Sequence, residues 1–478
     1  MSITGEINVE DLPPTIRIEE VVAHHTPPAT ATQTSWAVRA GFILIPICGS
    51  GGMNLITMLA FRFITDNLAI SAGAAGLMFA LVKIYDGFLD PLVGAWSDKL
   101  RSPLGRRLPF IIGGAVLMPL SMVAIFGVPD LGSLFLSQVL MTVALMLHAS
   151  AYTALGIPGM AMAVEATDDF NERTSLMAYR VFGNTLGILV GTALPAWLIA
   201  YWGATREGHL LMAMVIAAIV LAAGLTACFL LRNARRTEPD ALGSGQPGMI
   251  GQIKLAWQNI PFRVLAIAHI FVIFAVSVAS AGGAYFSKYV LGLPDSYLGS
   301  YYSVTSLGAV LSMPAWVWLS RKMGKRFAYV LAMSIYAAMH LLWLTGSAEE
   351  PIWLLASRAV ITGMSAGGVI LCAYSMLSDA VRYDYITSGQ RREGVFAGFT
   401  TLFDKLASAA ALSLMGGFLS VMGYVSSTSA NIVQPPSAIL AIKLCITAAP
   451  TVALLAAIGI IMFYKLTPEM LEEPDHAA

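Results

Sequence analysis

The chain contains 478 residues, of which 57% are hydrophobic and only 12% are charged, and its formal net charge at pH 7 is zero. Soluble domains carry about 25% charged residues, so this composition excludes an ordinary soluble enzyme and indicates a polytopic helical membrane protein. The balanced charge also gives no reason to expect a nucleic-acid partner.

The chain begins with a polar stretch, residues 1–35, which is predicted to be a disordered cytoplasmic tail. Twelve apolar segments follow, each long enough to cross a bilayer, which takes about 20 residues. They are predicted at residues 37–61, 73–97, 109–128, 133–163, 176–202, 209–231, 263–291, 298–320, 328–346, 352–378, 395–422 and 437–464. The longest connection, the cytoplasmic loop 232–262, separates two predicted six-helix bundles, 36–231 and 263–466, and residues 467–478 form a second cytoplasmic tail.

Basic residues are concentrated in the connections that follow even-numbered segments, whereas "VPDLGS", "TGSAEEP" and "SSTSANIVQPPS" contain no Lys or Arg. Arg62 and Arg206 are exceptions that the predicted boundaries place after odd-numbered segments. Because positive residues stay in the cytoplasm, both termini are expected to be cytoplasmic. The basic loops 98–107 and 321–326 are also expected to form charge pairs, such as Asp98 with the opposite half, that stabilise an outward-open state.

A weak internal repeat relates the two halves of the chain. The motif Gly-Arg-Arg at 105–107 recurs as Gly-Lys-Arg at 324–326, and Arg173 recurs as Arg392 at the same offset. Two basic motifs that share one offset indicate two parallel six-helix halves. The sequence therefore predicts an all-α membrane protein with the major facilitator fold and twelve transmembrane helices.

The stretch "KIYDGFLDP" places Lys83, Asp86 and Asp90 inside the second apolar segment. The two aspartates are four residues apart, so both project from one helix face, and each charge would cost roughly 2.5–3.5 kcal/mol at the membrane centre. Two like charges this close disfavour each other, and a bound Na⁺ or a shared proton relieves that penalty. The pattern thus favours a cation site; the alternative is that Asp90 pairs with Lys83 or anchors the following loop.

The eleventh segment contains the adjacent residues Asp404 and Lys405. Neighbouring residues point in different directions on a helix and do not readily neutralise each other. We therefore expect Lys405 to reach across to Asp86 or Asp90, and a self-satisfied Asp404–Lys405 pair is the alternative.

Further polar side chains within apolar segments are candidates for a binding pocket or for structural hydrogen bonds. On the fourth segment they are His148, Tyr152 and Thr153, and on the fifth Arg180, for which a structural role is equally open. The others are Asn54, His269, Tyr301, Tyr302, Trp316 and Tyr374. No HExxH, GxSxG or GxxxxGK[ST] motif occurs, so neither an enzyme nor an ATP-driven pump is predicted.

Three stretches resemble the glycoside–pentoside–hexuronide:cation symporters, the melibiose-permease-like branch of the major facilitator superfamily. They are "YDGFLDPLVGAWSDKLRSPLGRRLPFI" (85–111), "ERTSLMAYR" (172–180) and "MLSDAVRYDYITSGQRREGVFAGF" (376–399). The resemblance extends over about residues 37–465.

The resemblance implies roles for individual residues. Asp86 and Asp90 match the paired cation ligands of the family, and Thr153 matches a third ligand. The lysine that the family has near both sites corresponds to Lys405, with Lys83 a further charge-balancing candidate. Tyr152, Arg180 and Thr401 lie at or beside sugar-contacting positions of the family. Asn54 and Tyr374 are two further pocket candidates from the apolar segments.

The chain departs from melibiose permease at positions that contact the cation and the sugar. An asparagine before the second aspartate is Leu89 here, which removes an oxygen ligand for Na⁺ and makes a proton or a looser cation site more plausible. The galactoside-binding aspartates correspond to Ser50 and Gly156, and a tryptophan beside the pocket corresponds to Met160. A galactoside is therefore not expected, and a different glycoside, a uronide or a more apolar solute fits better.

The sequence thus predicts a monomeric secondary transporter of the inner (cytoplasmic) membrane. By alternating access it would transport a glycoside, sugar or uronide together with Na⁺ or H⁺. Its expected partners are this solute and membrane lipids, and no cofactor is expected beyond the co-transported ion. Cation-coupled transport of a lysolipid or another amphipathic solute is one alternative, because this branch of the superfamily includes a lysolipid symporter. A non-transporting membrane sensor is the alternative from another class.

Overall fold

The computed structural model describes residues 34–129, 132–167, 170–235, 257–347, 349–388, 393–428, 432–467 and 470. All regular secondary structure in these residues is helical. Twelve helices are long and apolar enough to cross a membrane, which confirms the predicted all-α class and the number of spans. The predicted tail 1–35 and the loop 232–262 lie mostly outside the described residues, and the tail 467–478 almost wholly.

The helices have the following bounds: α1 Trp36–Asn67, α2 Ala72–Lys99, α3 Leu108–Phe126, α4 Leu134–Glu165, α5 Phe170–Trp202, α6 Arg206–Leu231, α7 Ile260–Tyr289, α8 Asp295–Met323, α9 Lys325–Leu342, α10 Ile352–Ser388, α11 Glu393–Val421 and α12 Pro436–Ile461. Several begin with a polar N-cap, because the first N–H groups of a helix need acceptors. Ser35 accepts from the Val38 amide, and Asn259 accepts from that of Phe262.

Helix α12 is interrupted at Thr447, between Pro436–Ile446 and Ala448–Ile461. Pro450 lies four residues after Ile446 and has no N–H group, so it cannot complete the helical hydrogen bond to the Ile446 carbonyl. This carbonyl is therefore available to another donor.

Helices α1–α6 form one half of the molecule and α7–α12 the other. The halves contact each other where α2 packs along α11, where α5 packs against α8, and where the end of α1 meets α7. Glycines permit the close approach of α2 and α11: a Cβ atom on Gly76 would lie 2.8 Å from the carbonyl oxygen of Leu412, and one on Gly416 would overlap that of Ala72. Larger residues at these positions would separate the halves.

The bundle has two faces, one at each end of its helices. The N-terminal side is the face where α1 begins and where α2 is connected to α3. The Asp66 side is the opposite face, where α1 ends. Arg62, expected in a loop, lies inside α1 on this side and is only 3% exposed, because α1 continues six residues beyond its predicted end.

Candidate functional site

The predicted contact between the two halves is formed by α2 and α11. The Lys405 ammonium lies 3.0 Å from Oδ1 of Asp86 and 2.7 Å from Oδ2 of Asp90. It also donates to the main-chain carbonyl of Asp86 at 2.9 Å. Asp86 is 2% exposed and Lys405 8%. Lys405 therefore binds both carboxylates, as expected from its direction on α11, and links the halves in the interior.

Thr153 completes the cluster from α4. Its hydroxyl lies 3.0 Å from Oδ1 of Asp86 and 2.8 Å from Oδ1 of Asp90, and the side chain is 1% exposed. A hydroxyl has one hydrogen, so Thr153 can donate to only one of the carboxylates at a time. The two acids thus share one lysine and one hydroxyl.

Lys83 lies close to this cluster but is not bonded to it. Among the described residues, Asp86 and Asp90 form their ion pairs with Lys405 and not with Lys83. The alternative in which Asp90 pairs with Lys83 is therefore wrong. Lys83 is in electrostatic range of both aspartates and of Lys405. If all four groups are ionised, their charges cancel.

The predicted solute-binding residues lie around this cluster on both halves. Tyr152 is in electrostatic range of Asp86, Asp90, Arg180 and Tyr374. The Arg180 guanidinium donates to the Gly159 carbonyl of α4 at 3.0 Å, and Tyr374 is 62% exposed. Tyrosines from the two halves therefore approach one buried acidic site.

Thr401 and Asn54 make hydrogen bonds within their own helices. The exposed Thr401, one turn before Lys405 on α11, donates to the Ala397 carbonyl at 3.1 Å. Asn54 donates to the Ser50 carbonyl of α1 at 2.9 Å. Thr401 lies on the same helix face as Lys405 and is therefore close to the cluster. The Asn54 amide is on α1 and is bonded within that helix.

Two polar pairs near these helices were not anticipated. Nε2 of His269 lies 2.7 Å from Oδ1 of Asp404, so Asp404 is paired with a residue of α7 and not with its neighbour. The hydroxyl of Ser50, at the position of a lost aspartate, is hydrogen-bonded to Asn184 of α5. The first pair could have been inferred from the sequence, because Asp404 points away from Lys405 and needs a partner of its own.

A second charged cluster links the halves on the Asp66 side. Arg62 lies 2.6 Å from Asp295 of α8, and Lys288 of α7 lies 2.7 Å from Asp66. Tyr289 and Tyr424 also donate to Asp66, at 2.7 and 2.5 Å. All these partners of α1 belong to the second half, so the halves are closed against each other on this side.

Charges on the N-terminal side pair within one half in this structure. Arg107 pairs with Asp98 of the first half at 2.5 Å, and Lys325 with Asp379 of the second at 2.7 Å. The expected pair between Asp98 and the opposite half is thus absent from the described residues in this conformation.

Comparison with known proteins agrees with this architecture. Residues 38–468 match the family model described as MFS/sugar transport protein. The isoprimeverose transporter of Lactiplantibacillus pentosus is 24% identical over 92% of this chain and 91% of its own length. The sphingosine-1-phosphate transporter MFSD2B of Xenopus tropicalis is 25% identical over 87% of this chain and 85% of its own. A bacterial homologue of the lysosomal transporter Spinster, solved inward-facing and occupied, superposes with a TM-score of 0.67 at 14% identity, covering 90% of this chain and 98% of that one.

Proposed function

The chain belongs to the family of MFS/sugar transport proteins, and from this premise we propose that it is a symporter that couples Na⁺ or H⁺ to the uptake of a small solute. It is a multi-pass membrane transporter of the major facilitator fold and not an enzyme. The observation that carries the proposal is the buried Asp86–Asp90 pair, which shares Lys405 across the two halves.

Lys405 and a cation compete for the same oxygen atoms. A cation coordinated by Asp86, Asp90 and Thr153 would occupy the space between the carboxylates that the ammonium now fills. Protonation of either aspartate would weaken its ion pair in the same way. Because Lys405 is on α11 and the aspartates are on α2, its displacement removes a bond between the halves, and cation binding thereby becomes linked to their relative movement.

The solute would bind between the halves beside this cluster. Tyr152, Arg180, Tyr374 and Thr401 offer hydroxyl groups, aromatic rings and one guanidinium, which suit a glycoside or a uronide whose carboxylate pairs with Arg180. The lack of acids at Ser50 and Gly156 argues against a tightly bound galactoside.

A lysolipid or another amphipathic solute is the second candidate. It is supported by the similarity to a sphingosine-1-phosphate transporter along most of both chains. The same Arg180 would then bind an anionic head group, while the apolar tail would lie between the helices.

We further propose that the N-terminal side faces the cytoplasm, because the basic connections are concentrated there. The closed Asp66 side would then be extracytoplasmic, and the conformation described here would be inward-facing. The transporting unit of this proposal is a monomer.

Uptake into proteoliposomes tests the proposal. Radiolabelled glycosides, a glucuronide and a lysolipid are supplied under a Na⁺ gradient, under a proton gradient and without a gradient. We expect one solute class to accumulate only under one of the two ion gradients. Accumulation that does not depend on either gradient would refute cation coupling, and no uptake of any solute would favour the membrane sensor.

A further inference from the structure

The second half contains a cavity of about 100 Å³ near the Asp66 side. Its lining comes from α7, α8, α9 and the segment that continues it, α10 and the first part of α12. Its lining includes no residue of the Asp86–Lys405 cluster and none of the first half. The cavity is therefore separate from the site proposed for transport.

Six aromatic side chains form much of the wall: Phe286, Tyr297, Tyr301, Tyr302, Tyr336 and Trp343. Their rings are in contact with one another, with centroid separations of 5.6 Å between Phe286 and Trp343 and 6.0 Å between Tyr301 and Trp343. Aromatic faces of this kind bind other rings by stacking and by contact with C–H groups. Tyr301 and Tyr302, expected in the pocket between the halves, thus line this cavity instead.

Buried polar atoms without a hydrogen-bond partner also line the cavity. They are Oγ of Ser287, the Tyr297 hydroxyl and Nε2 of His340, and the hydroxyl groups of Thr305 and Thr362 lie beside the Tyr301 hydroxyl on the same wall. Ser287 is 2% exposed, Thr362 5% and His340 6%. A buried polar atom left without a partner is energetically costly, so three of them around one space indicate that something polar fills it.

The interruption of α12 determines which atom His340 presents to the cavity. Nδ1 of His340 lies 2.9 Å from the Ile446 carbonyl, the group for which Pro450 provides no N–H. A carbonyl accepts only, so Nδ1 carries the hydrogen and Nε2 of the neutral ring is an acceptor. A ligand at this wall must donate to Nε2.

Among the described residues, the lining includes no Asp, Glu, Lys or Arg, and the nearby Arg358 lies behind the Trp343 ring at 4.8 Å. A charged ligand would lose its hydration without gaining a direct ion pair from the lining, which favours an uncharged one. The volume exceeds what one or two water molecules need.

We propose that this cavity is a second binding site, which takes a small uncharged ring compound carrying hydroxyl groups. One hydroxyl donates to Nε2 of His340, others exchange hydrogen bonds with Ser287, Tyr297 and Thr362, and the ring packs against Tyr301 and Trp343. The proposal does not depend on the transport function, because none of these residues belongs to the acidic cluster.

Thermal unfolding of the purified full chain in detergent micelles tests the proposal with two probes, phenol and myo-inositol. Ala279→Leu fills the cavity, and Ala218→Leu makes the same change at an exposed position on α6 as the control. We expect at least one probe to raise the Tm of the wild type and of Ala218→Leu in a saturable manner, and to have no effect on Ala279→Leu. A response to phenol alone would assign the site to aromatic rings, and a response to myo-inositol would assign it to polyols.

Thr362→Val provides a second variant that removes one hydroxyl and keeps the shape of the side chain. We expect the apparent Kd of the responding probe to rise about tenfold, which corresponds to the loss of one hydrogen bond. Asp86→Asn should leave the response to the probe intact, which locates binding away from the acidic cluster. If neither probe gives a shift that Ala279→Leu abolishes, the cavity holds water only and the proposal is wrong.

Discussion

The two faces of the molecule differ in how their charges are paired. On the Asp66 side, Arg62 and Asp66 of the first half bind Asp295 and Lys288 of the second. On the N-terminal side, ion pairs such as Lys325–Asp379 stay within one half. Ion pairs between the halves thus mark the closed face, whereas Arg107–Asp98 and Lys325–Asp379 on the other face each join residues of one half.

The Asp86–Asp90–Lys405 cluster lies between these two faces and joins the halves in the interior. Movement about this cluster could open the Asp66 side while the N-terminal side closes. The pairs Arg62–Asp295 and Asp66–Lys288 oppose that movement, whereas under the proposed symport a cation that displaces Lys405 would favour it.

Arg62→Ala should have the largest effect on this difference, because it leaves the partly buried Asp295 without its partner at the closed face. We expect the closed state to lose on the order of 3 kcal/mol relative to the open state. The distance between spin labels at Ser133→Cys and Glu349→Cys, both exposed on the Asp66 side, should shift to longer values.

Arg358→Ala is the matched control for Arg62→Ala. Arg358 is also 3% exposed and pairs at 2.7 Å with Glu350, but both residues belong to the second half. This variant should lower the Tm and leave the label distance unchanged. An unchanged distance in Arg62→Ala, or an equal shift in both variants, would contradict the assigned role of the Arg62–Asp295 pair.

Thr153→Val should have an intermediate effect, limited to the cluster. The variant keeps the shape of the side chain and removes the hydroxyl that the two aspartates share, so the apparent affinity for the coupling ion should fall roughly tenfold. The ion dependence of solute uptake measures this affinity. Thr192→Val is the control, because the Thr192 hydroxyl donates to the Ile188 carbonyl of its own helix, and it should leave the affinity unchanged. Equal losses of affinity in both variants would show that Thr153 is not part of the ion site.

Lys325→Ala should have the smallest effect. Its side chain is 40% exposed, and exposed ion pairs contribute about 0–1 kcal/mol. We expect a loss of less than about 1 kcal/mol in the free energy of unfolding and no change in the label distance on the Asp66 side. A large change in that distance would show that the N-terminal side is also held by its charges in this conformation.

The sequence was sufficient to predict the fold and the contact of Lys405 with Asp86 and Asp90. Twelve apolar runs determine the helices because a membrane leaves few other structures for them. The four-residue spacing of Asp86 and Asp90, and the direction of Lys405 away from Asp404, were enough to predict the contact that the structure contains.

The closed face could not be predicted, because it depends on residues far apart in the chain. Arg62 was assigned to a loop since hydropathy alone ends the first segment before it, whereas its partner Asp295 makes burial inside α1 possible. The cavity of the second half is unpredictable for a similar reason: the orientation of His340 depends on the Ile446 carbonyl, which Pro450 of another helix leaves without a helical donor.

The most direct test of the central claim is the ion dependence of solute uptake in Asp86→Asn. The amide cannot carry the charge that binds either Lys405 or a cation, so the account predicts that any remaining uptake no longer responds to a Na⁺ or proton gradient. Uptake by this variant that remains fully coupled to the gradient would contradict the assignment of the cation site to Asp86 and Asp90.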